Sequence, residues 1–197
     1  MISAEEVIDP DLPIIDPHHH LWDRNGDRYL LDELLADTAQ ADAHGARHNV
    51  RGTVFVECAA MYNAGGPDPM RPLGETEFVN GIAAMSASGG YGDTRVAAGI
   101  VGFADLCLGS AVREVLEAHI GAARGRFRGI RHAAGWHASE QIRNSHSNPI
   151  EHLLLDARFR EGFAQLAPLG LSFDAWLFHT QIAELTEWER EVVYPMA

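Results

Sequence analysis

The sequence predicts an α/β domain built on a parallel sheet, and three observations carry that prediction. Five short runs are nearly continuous in apolar residues rather than alternating, as strands buried on both faces are. Segments of helical spacing separate them, giving a β-α-β-α order with right-handed crossovers. Two long loops follow strand ends, on the side where parallel α/β folds build their sites.

In chain order, Pro13-Ile14-Ile15-Asp16 forms the first strand after a proline-rich lead-in. Residues 51–57, 95–103, 127–131 and 171–178 form the second to fifth. Between them, Phe78, Ile82 and Met85 fall on one stripe of a helix over residues 77–85. Ser110 is placed to cap a helix whose Val112, Val115, Leu116 and Ile120 share a face, and Asp156 to cap one carrying Phe159, Phe163 and Leu166. That last helix stops at Pro168-Leu169-Gly170. The long loops are residues 60–74, with Gly65-Gly66-Pro67, and residues 133–150, with Trp136, His137 and His146; both read as substrate loops.

The chain of 197 residues is expected to be one domain, able to bury roughly 68–70% of its unfolded surface. Its 28 acidic residues outweigh 15 basic ones, a net charge of −13. That balance argues against nucleic acid or an anionic membrane as partner, since both require clustered positive charge. Protonating all eleven histidines would bring −13 to −2, so the chain is expected to respond to mild acid. Cys58 and Cys107 are too far apart for a metal knuckle and are read as reduced, half-buried thiols. The acidic N-terminus has no signal-peptide character, and no apolar run approaches the ~18 residues of a membrane span; the expected location is cytoplasmic.

The strongest chemical signal is Ile15-Asp16-Pro17-His18-His19-His20 at the end of the first strand. Alternation along a strand points His18 and His20 the same way, where two imidazoles can share a Zn²⁺-type ion, and turns His19 to the other face. A surface histidine run is the plainer alternative, disfavoured by the flanking apolar residues. No glycine-rich phosphate turn follows this strand, so an open, doubly wound nucleotide-binding sheet is the weaker architecture.

The stretch Pro13-Ile14-Ile15-Asp16-Pro17-His18-His19-His20-Leu21-Trp22-Asp23 resembles the opening of the amidohydrolase superfamily, in the branch that holds sugar-lactone and pyrone-dicarboxylate lactonases. Val54-Phe55-Val56-Glu57 resembles its second strand, and Arg128-Gly129-Ile130-Arg131-His132 with Trp136 and Ile142-Arg143-Asn144-Ser145-His146 its fourth strand and following loop. Leu171-Ser172-Phe173-Asp174-Ala175-Trp176-Leu177-Phe178-His179 with Gln181 resembles its fifth. The resemblance runs from about residue 13 to residue 186. It implies a (β/α)8 TIM-type barrel that hydrolyses small cyclic esters or related bonds of a small-molecule substrate. By resemblance His18, His20 and His179 are metal ligands at the barrel mouth, His179 also catalytic. The metal is divalent, zinc first, although some relatives use none. At the residue level, His179 ends an apolar strand, where a histidine satisfied by a carbonyl is the alternative. Arg131 suits a substrate carboxylate, or else pairs with an acidic neighbour. Glu57 orients a histidine or serves as that arginine's partner. Trp22 and Trp136 line a pocket or pack, and His132 is expected in the core.

The resemblance ends near Thr186, where residues 187–197 lead to no further strand and Thr180 stands at a family proline. The expected architecture is an incomplete barrel of about five βα units, cut short by truncation or a change of reading frame. The family's sixth-strand His and eighth-strand Asp, its general base, have no counterpart. Five strands cannot close a barrel, so exposed edges would invite pairing with a second copy, and this chain alone is expected to catalyse weakly or not at all. An inactive, metal-binding remnant is the alternative function, and a metal-dependent decarboxylase of the same superfamily a further one.

Overall fold

The computed structural model describes residues 6–192. The N-terminal residues 1–5 read above as no leader, and the tail residues 193–197, lie outside them. Five strands form one fully parallel sheet in the order β1-β4-β5-β6-β7, curled as part of a barrel wall. These are β1 (Pro13–His19), β4 (Asn49–Val56), β5 (Arg95–Gly102), β6 (Phe127–Ile130) and β7 (Ser172–Phe173). Four of the five expected strands match closely, because apolar residues on both of their faces, among them Phe55, Val56, Ile100, Val101 and Ile130, are buried.

The helices are α1 (Leu31–Thr38), α2 (Leu73–Ala87), α3 (Val112–Ala122), α4 (Ala157–Phe163) and α5 (Ile182–Val192). Asp156 caps α4 as expected, its carboxylate accepting from the backbone N–H groups of Arg158 and Phe159 at 2.9 Å each. Ser110 does not cap α3. The run Leu106–Ala111 coils as a tight turn, capped by Asp105 on the Cys107 N–H, and feeds straight into α3 through Ala111. Val115, Leu116, Phe159 and Leu166 then meet Ile100, Leu106 and Phe127 in one core. Gly162 is required there, since a Cβ would overlap the Leu106 carbonyl.

Two further features depart from the sequence reading. Between β1 and α1 lies an antiparallel hairpin of β2 (Trp22–Arg24) and β3 (Asp27–Tyr29). Its two-residue turn is Asn25-Gly26, with φ of 51° and 87°, the paired positive values of a twist-matched hairpin turn. The fifth strand is two residues long rather than eight, because it pairs on one side only, with a β6 of four residues. Two bonds extend the pairing, Asp174 N–H to Ile130 O at 2.9 Å and Ala134 N–H to Trp176 O at 2.8 Å. Beyond them the segment is open, and Trp176 is 40% exposed.

Candidate functional site at the carboxyl end of the sheet

The last residues of β1, β4 and β6 meet at one end of the sheet. Along β1 the alternation leaves His18 exposed and His20 half-buried, and sends His19 into the core against Phe55. The Nε2 atoms of His18 and His20 stand 3.2 Å apart, with the rings at 90°. His20 Nδ1 lies 2.7 Å from the Val56 carbonyl, which can only accept, so Nδ1 carries the proton and Nε2 offers a lone pair. Burial lowers the basicity of His20, the Val56 carbonyl opposes that, and the Arg131 charge lowers it again. The proton-poor imidazole is the form that binds a cation. His19 is pushed down to about 4, mainly by burial, and its ring nitrogens have no hydrogen-bond partner among the described residues.

Glu57 follows β4 directly and is fully buried, with its N–H still bonded to Val101 O at 2.8 Å. Arg131 follows β6, its N–H on Gly102 O at 2.9 Å. The two side chains meet over the end of β5: Arg131 Nε donates to Glu57 Oε1 at 2.7 Å, and Nη2 donates to the Glu57 carbonyl. Nη1 lies 3.5 Å from His18 Nε2. The other Glu57 oxygen, Oε2, accepts from His146 Nε2 at 3.0 Å. Burial pushes the Glu57 carboxyl up, but the His146 hydrogen bond and the Arg131 charge outweigh it and hold the group below the usual carboxylate range. Arg131 therefore has its acidic neighbour, and Glu57 both neutralises the arginine and orients an imidazole.

The other expected residues fall around this centre or away from it. Trp22 stacks on Tyr29 across the hairpin, ring centroids 5.0 Å apart. Trp136 is half-buried and lines a cavity formed by residues 136–148, with a volume near 670 Å³. His132 is in the core against Phe103 and Phe159, accepting from Leu106 N–H at 3.2 Å. His179 is exposed on the short turn His179–Gln181 that precedes α5, away from the β1 pair. Among the described residues no group of three His, Cys, Asp or Glu side chains is placed to hold a metal ion. Sequence reasoning passed over His146 as a site residue. Its signal, a histidine in a long loop after a strand end, is too common to single out.

A second buried carboxyl sets the shape of the rim. Glu75, in the first turn of α2, is 1% exposed, and its Oε1 accepts from the Cys58 N–H at 3.0 Å and the Ala60 N–H at 2.7 Å. These bonds pin the chain just beyond Glu57, where Ala59 and Met61 take φ of 58° and 53°. Oε2 is buried without a partner among the described residues. Burial pushes the Glu75 carboxyl up to about 7, against the two backbone bonds and with the repulsion of Glu57. A carboxyl raised in the folded state stabilises below its unfolded value of about 4.5 and loses that stabilisation as pH rises through about 7. Glu75→Gln is therefore expected to raise the thermal midpoint at pH 8 by the equivalent of about 1–3 kcal/mol and to leave it unchanged near pH 4.5. Buried neutral histidines run the opposite way, so the difference between wild type and variant isolates this group; parallel profiles would assign the slope elsewhere.

Cys58 and Cys107 are free and half-buried, and burial pushes both thiols up to about 12. No described helix is long and apolar enough to cross a membrane.

No family model matches the chain. The uncharacterized protein y4mH of Sinorhizobium fredii is 31% identical, over 92% of the present chain and 59% of its own length. Two crystal structures of an amidohydrolase from Burkholderia multivorans superpose on 90% of the chain and 53% of their own. One, with bound HEPES, has a TM-score of 0.56 at 23% identity; the other, with bound zinc, 0.58 at 21%. The chain thus spans somewhat more than half the length of the relatives it matches. Over its five parallel strands it has the fold of these amidohydrolase structures, an incomplete barrel of the (β/α)8 type.

Proposed function

We propose that the chain belongs to the amidohydrolase superfamily and serves a divalent-cation-dependent hydrolase that opens small cyclic esters. The observation that carries this reading is the His18–His20 pair: two Nε2 atoms 3.2 Å apart at a strand's carboxyl end, one fixed as a lone-pair donor by Val56. The zinc bound to the Burkholderia multivorans amidohydrolase supports zinc as the cation. His18 and His20 fit two positions of such an ion, whereas His179, on the exposed turn ahead of α5, completes no three-ligand group with them among the described residues. When bound, the cation supplies Lewis acidity to a carbonyl oxygen.

The chain's own groups handle the proton. His146 donates its Nε2 hydrogen to the buried Glu57 carboxylate, which leaves Nδ1 as an acceptor on a ring that lines the cavity. As a water oxygen bonds to the ester carbonyl carbon, Nδ1 takes the water's proton. The proton passes to the ring oxygen when the carbon–oxygen bond breaks. Arg131, whose charge is spent on Glu57, holds the carboxylate ionised and in place.

A second reading is a chain without turnover that at most binds metal, and it fits the lack of a group of three ligands among the described residues. Hydrolysis of a panel of sugar lactones, with and without zinc, separates the two. The hydrolase reading expects zinc-stimulated turnover that falls roughly 100-fold or more in His146→Phe, within the usual range for losing a general base, with zinc stoichiometry unchanged. Stoichiometric zinc with no turnover overturns it in favour of the second reading, and equal rates in His146→Phe remove the histidine's role.

A further inference from the structure

A second cavity, near 460 Å³, lies between β1, β4 and α1. It has apolar walls on all three elements: Ile14 of β1 and Val50 of β4 are half-buried, and Leu34 of α1 is buried. The rest of the lining is polar, and its hydrogen-bond balance favours acceptors. Asp16 and Asp37 line it from β1 and α1, and neither carboxylate forms an ion pair among the described residues. Asp16 Oδ1 accepts the His18 N–H at 3.0 Å, which leaves Oδ2 open. Asp37 accepts the Tyr29 O–H on Oδ2 at 2.6 Å and the Gln40 amide N–H on Oδ1 at 3.3 Å, so two donors of the lining are already engaged. The Thr38 hydroxyl donates to the Leu35 carbonyl at 3.1 Å. The open acceptors are Asp16 Oδ2, the Gln40 amide oxygen and further lone pairs of Asp37; the donors left to meet them are the His48 ring and the second Gln40 N–H. The lining holds no arginine or lysine, and Arg28, next to Tyr29 in β3, is paired with Asp32 and Glu33. Tyr29 registers this field: its phenol is held above its ordinary value by burial, then by the Asp37 hydrogen bond and the charges of Asp37, Asp16 and Glu33.

We infer that this cavity binds a small organic cation, a primary ammonium on a short alkyl chain. An ammonium brings one positive charge and three N–H donors to carboxylates that have no counter-charge. The alkyl chain covers Ile14, Leu34 and Val50, which removes apolar surface of both partners from water. The volume lies within the range of small-ligand sites, roughly 300–1,000 Å³. A neutral alcohol of the same length would cover the apolar walls and leave the charges unmet. A bare divalent ion would leave the walls uncovered, and no group of three ligands among the described residues is placed to hold one. The site is separate from the cavity of residues 136–148 and does not depend on the proposed hydrolase. One link joins it to the histidine pair, since the Asp16 carboxylate that lines the cavity also accepts the His18 N–H.

Titration calorimetry of the full chain with n-hexylammonium, and separately with 1-hexanol and hexanoate, tests the site without any turnover. Hexylammonium is expected to bind the wild type, with Kd rising about tenfold or more in Asp37→Asn and in Asp16→Asn, the usual loss for a hydrogen bond to a charged group. Glu77→Gln, an exposed carboxylate on α2, is expected to leave Kd unchanged, which separates the site from general attraction to an acidic chain. Asp37 is exposed on the last turn of α1, so Asp37→Asn keeps the fold, as circular dichroism checks. Binding of Nα-acetyl-lysinamide with the same dependence on Asp37 supports the ammonium chemistry and extends its source to a lysine side chain. Absence of hexylammonium binding, hexanol or hexanoate binding as tightly, or a Kd equal in wild type and both Asp variants overturns the site.

Discussion

Replacing Glu57 with alanine is expected to cost about 3–5 kcal/mol of folding stability, because it leaves the buried Arg131 guanidinium without its counter-charge. The loss is larger than any surface ion pair of this chain would give. The pairs Arg28–Asp32 and Arg113–Glu117 are half-exposed and worth at most about 1 kcal/mol each. A urea transition monitored by circular dichroism should move to lower denaturant with its slope unchanged. The double replacement Glu57→Met with Arg131→Met should recover most of the loss, since two apolar side chains of similar volume carry no unpaired charge. That comparison also covers the case in which the single variant fails to fold. A single-variant cost under about 1 kcal/mol would mean that water already screens the pair and that the buried geometry is not maintained.

The second large effect concerns the cation. Wild type with zinc at 100 times its Kd is expected to gain about 2.7 kcal/mol of stability, by mass action on the folded state. In the double variant His18→Ala with His20→Ala that gain should vanish, and zinc affinity should drop by roughly 100-fold or more for loss of two ligands. Thermal denaturation across a zinc series reads both quantities. His19→Phe serves as the contrast, because His19 is packed against Phe55 in the core and faces away from the pair. It should keep the zinc response and, with its unpartnered ring nitrogens gone, lose no stability. Zinc stabilisation that survives the double replacement would place the cation elsewhere.

How much of this was legible in the sequence depends on the range of the interaction. The strands β4, β5 and β6 announce themselves because both faces are covered, and continuous apolar runs such as Val54-Phe55-Val56 cannot be mistaken for half-exposed ones. The split of His18 and His20 from His19 follows from strand parity alone. Asn25-Gly26 was a readable hairpin signal, hidden by the shortness of the three-residue strands on either side. Leu171-Ser172-Phe173 continues into apolar residues, but a strand also needs a partner along its length, and sequence does not show how soon β6 stops. The Glu57–Arg131 and Glu57–His146 contacts join residues 74 and 89 positions apart. They depend on the order of strands in the sheet and the path of a long loop, which no local pattern encodes.

The arch of Glu57 and Arg131 has a mechanical side. Strands β4 and β6 are not neighbours; β5 runs between them, and the ion pair spans its end. A bond across an intervening strand acts as a chord across an arc, holding the two outer strands at a set separation. The bend of the sheet at this rim is therefore braced from within, by two side chains. It follows that the His146 contact and the curvature share one joint, Glu57. Breaking the Glu57–Arg131 pair would loosen the chord at the point where His18 meets Arg131 and His146 meets Glu57.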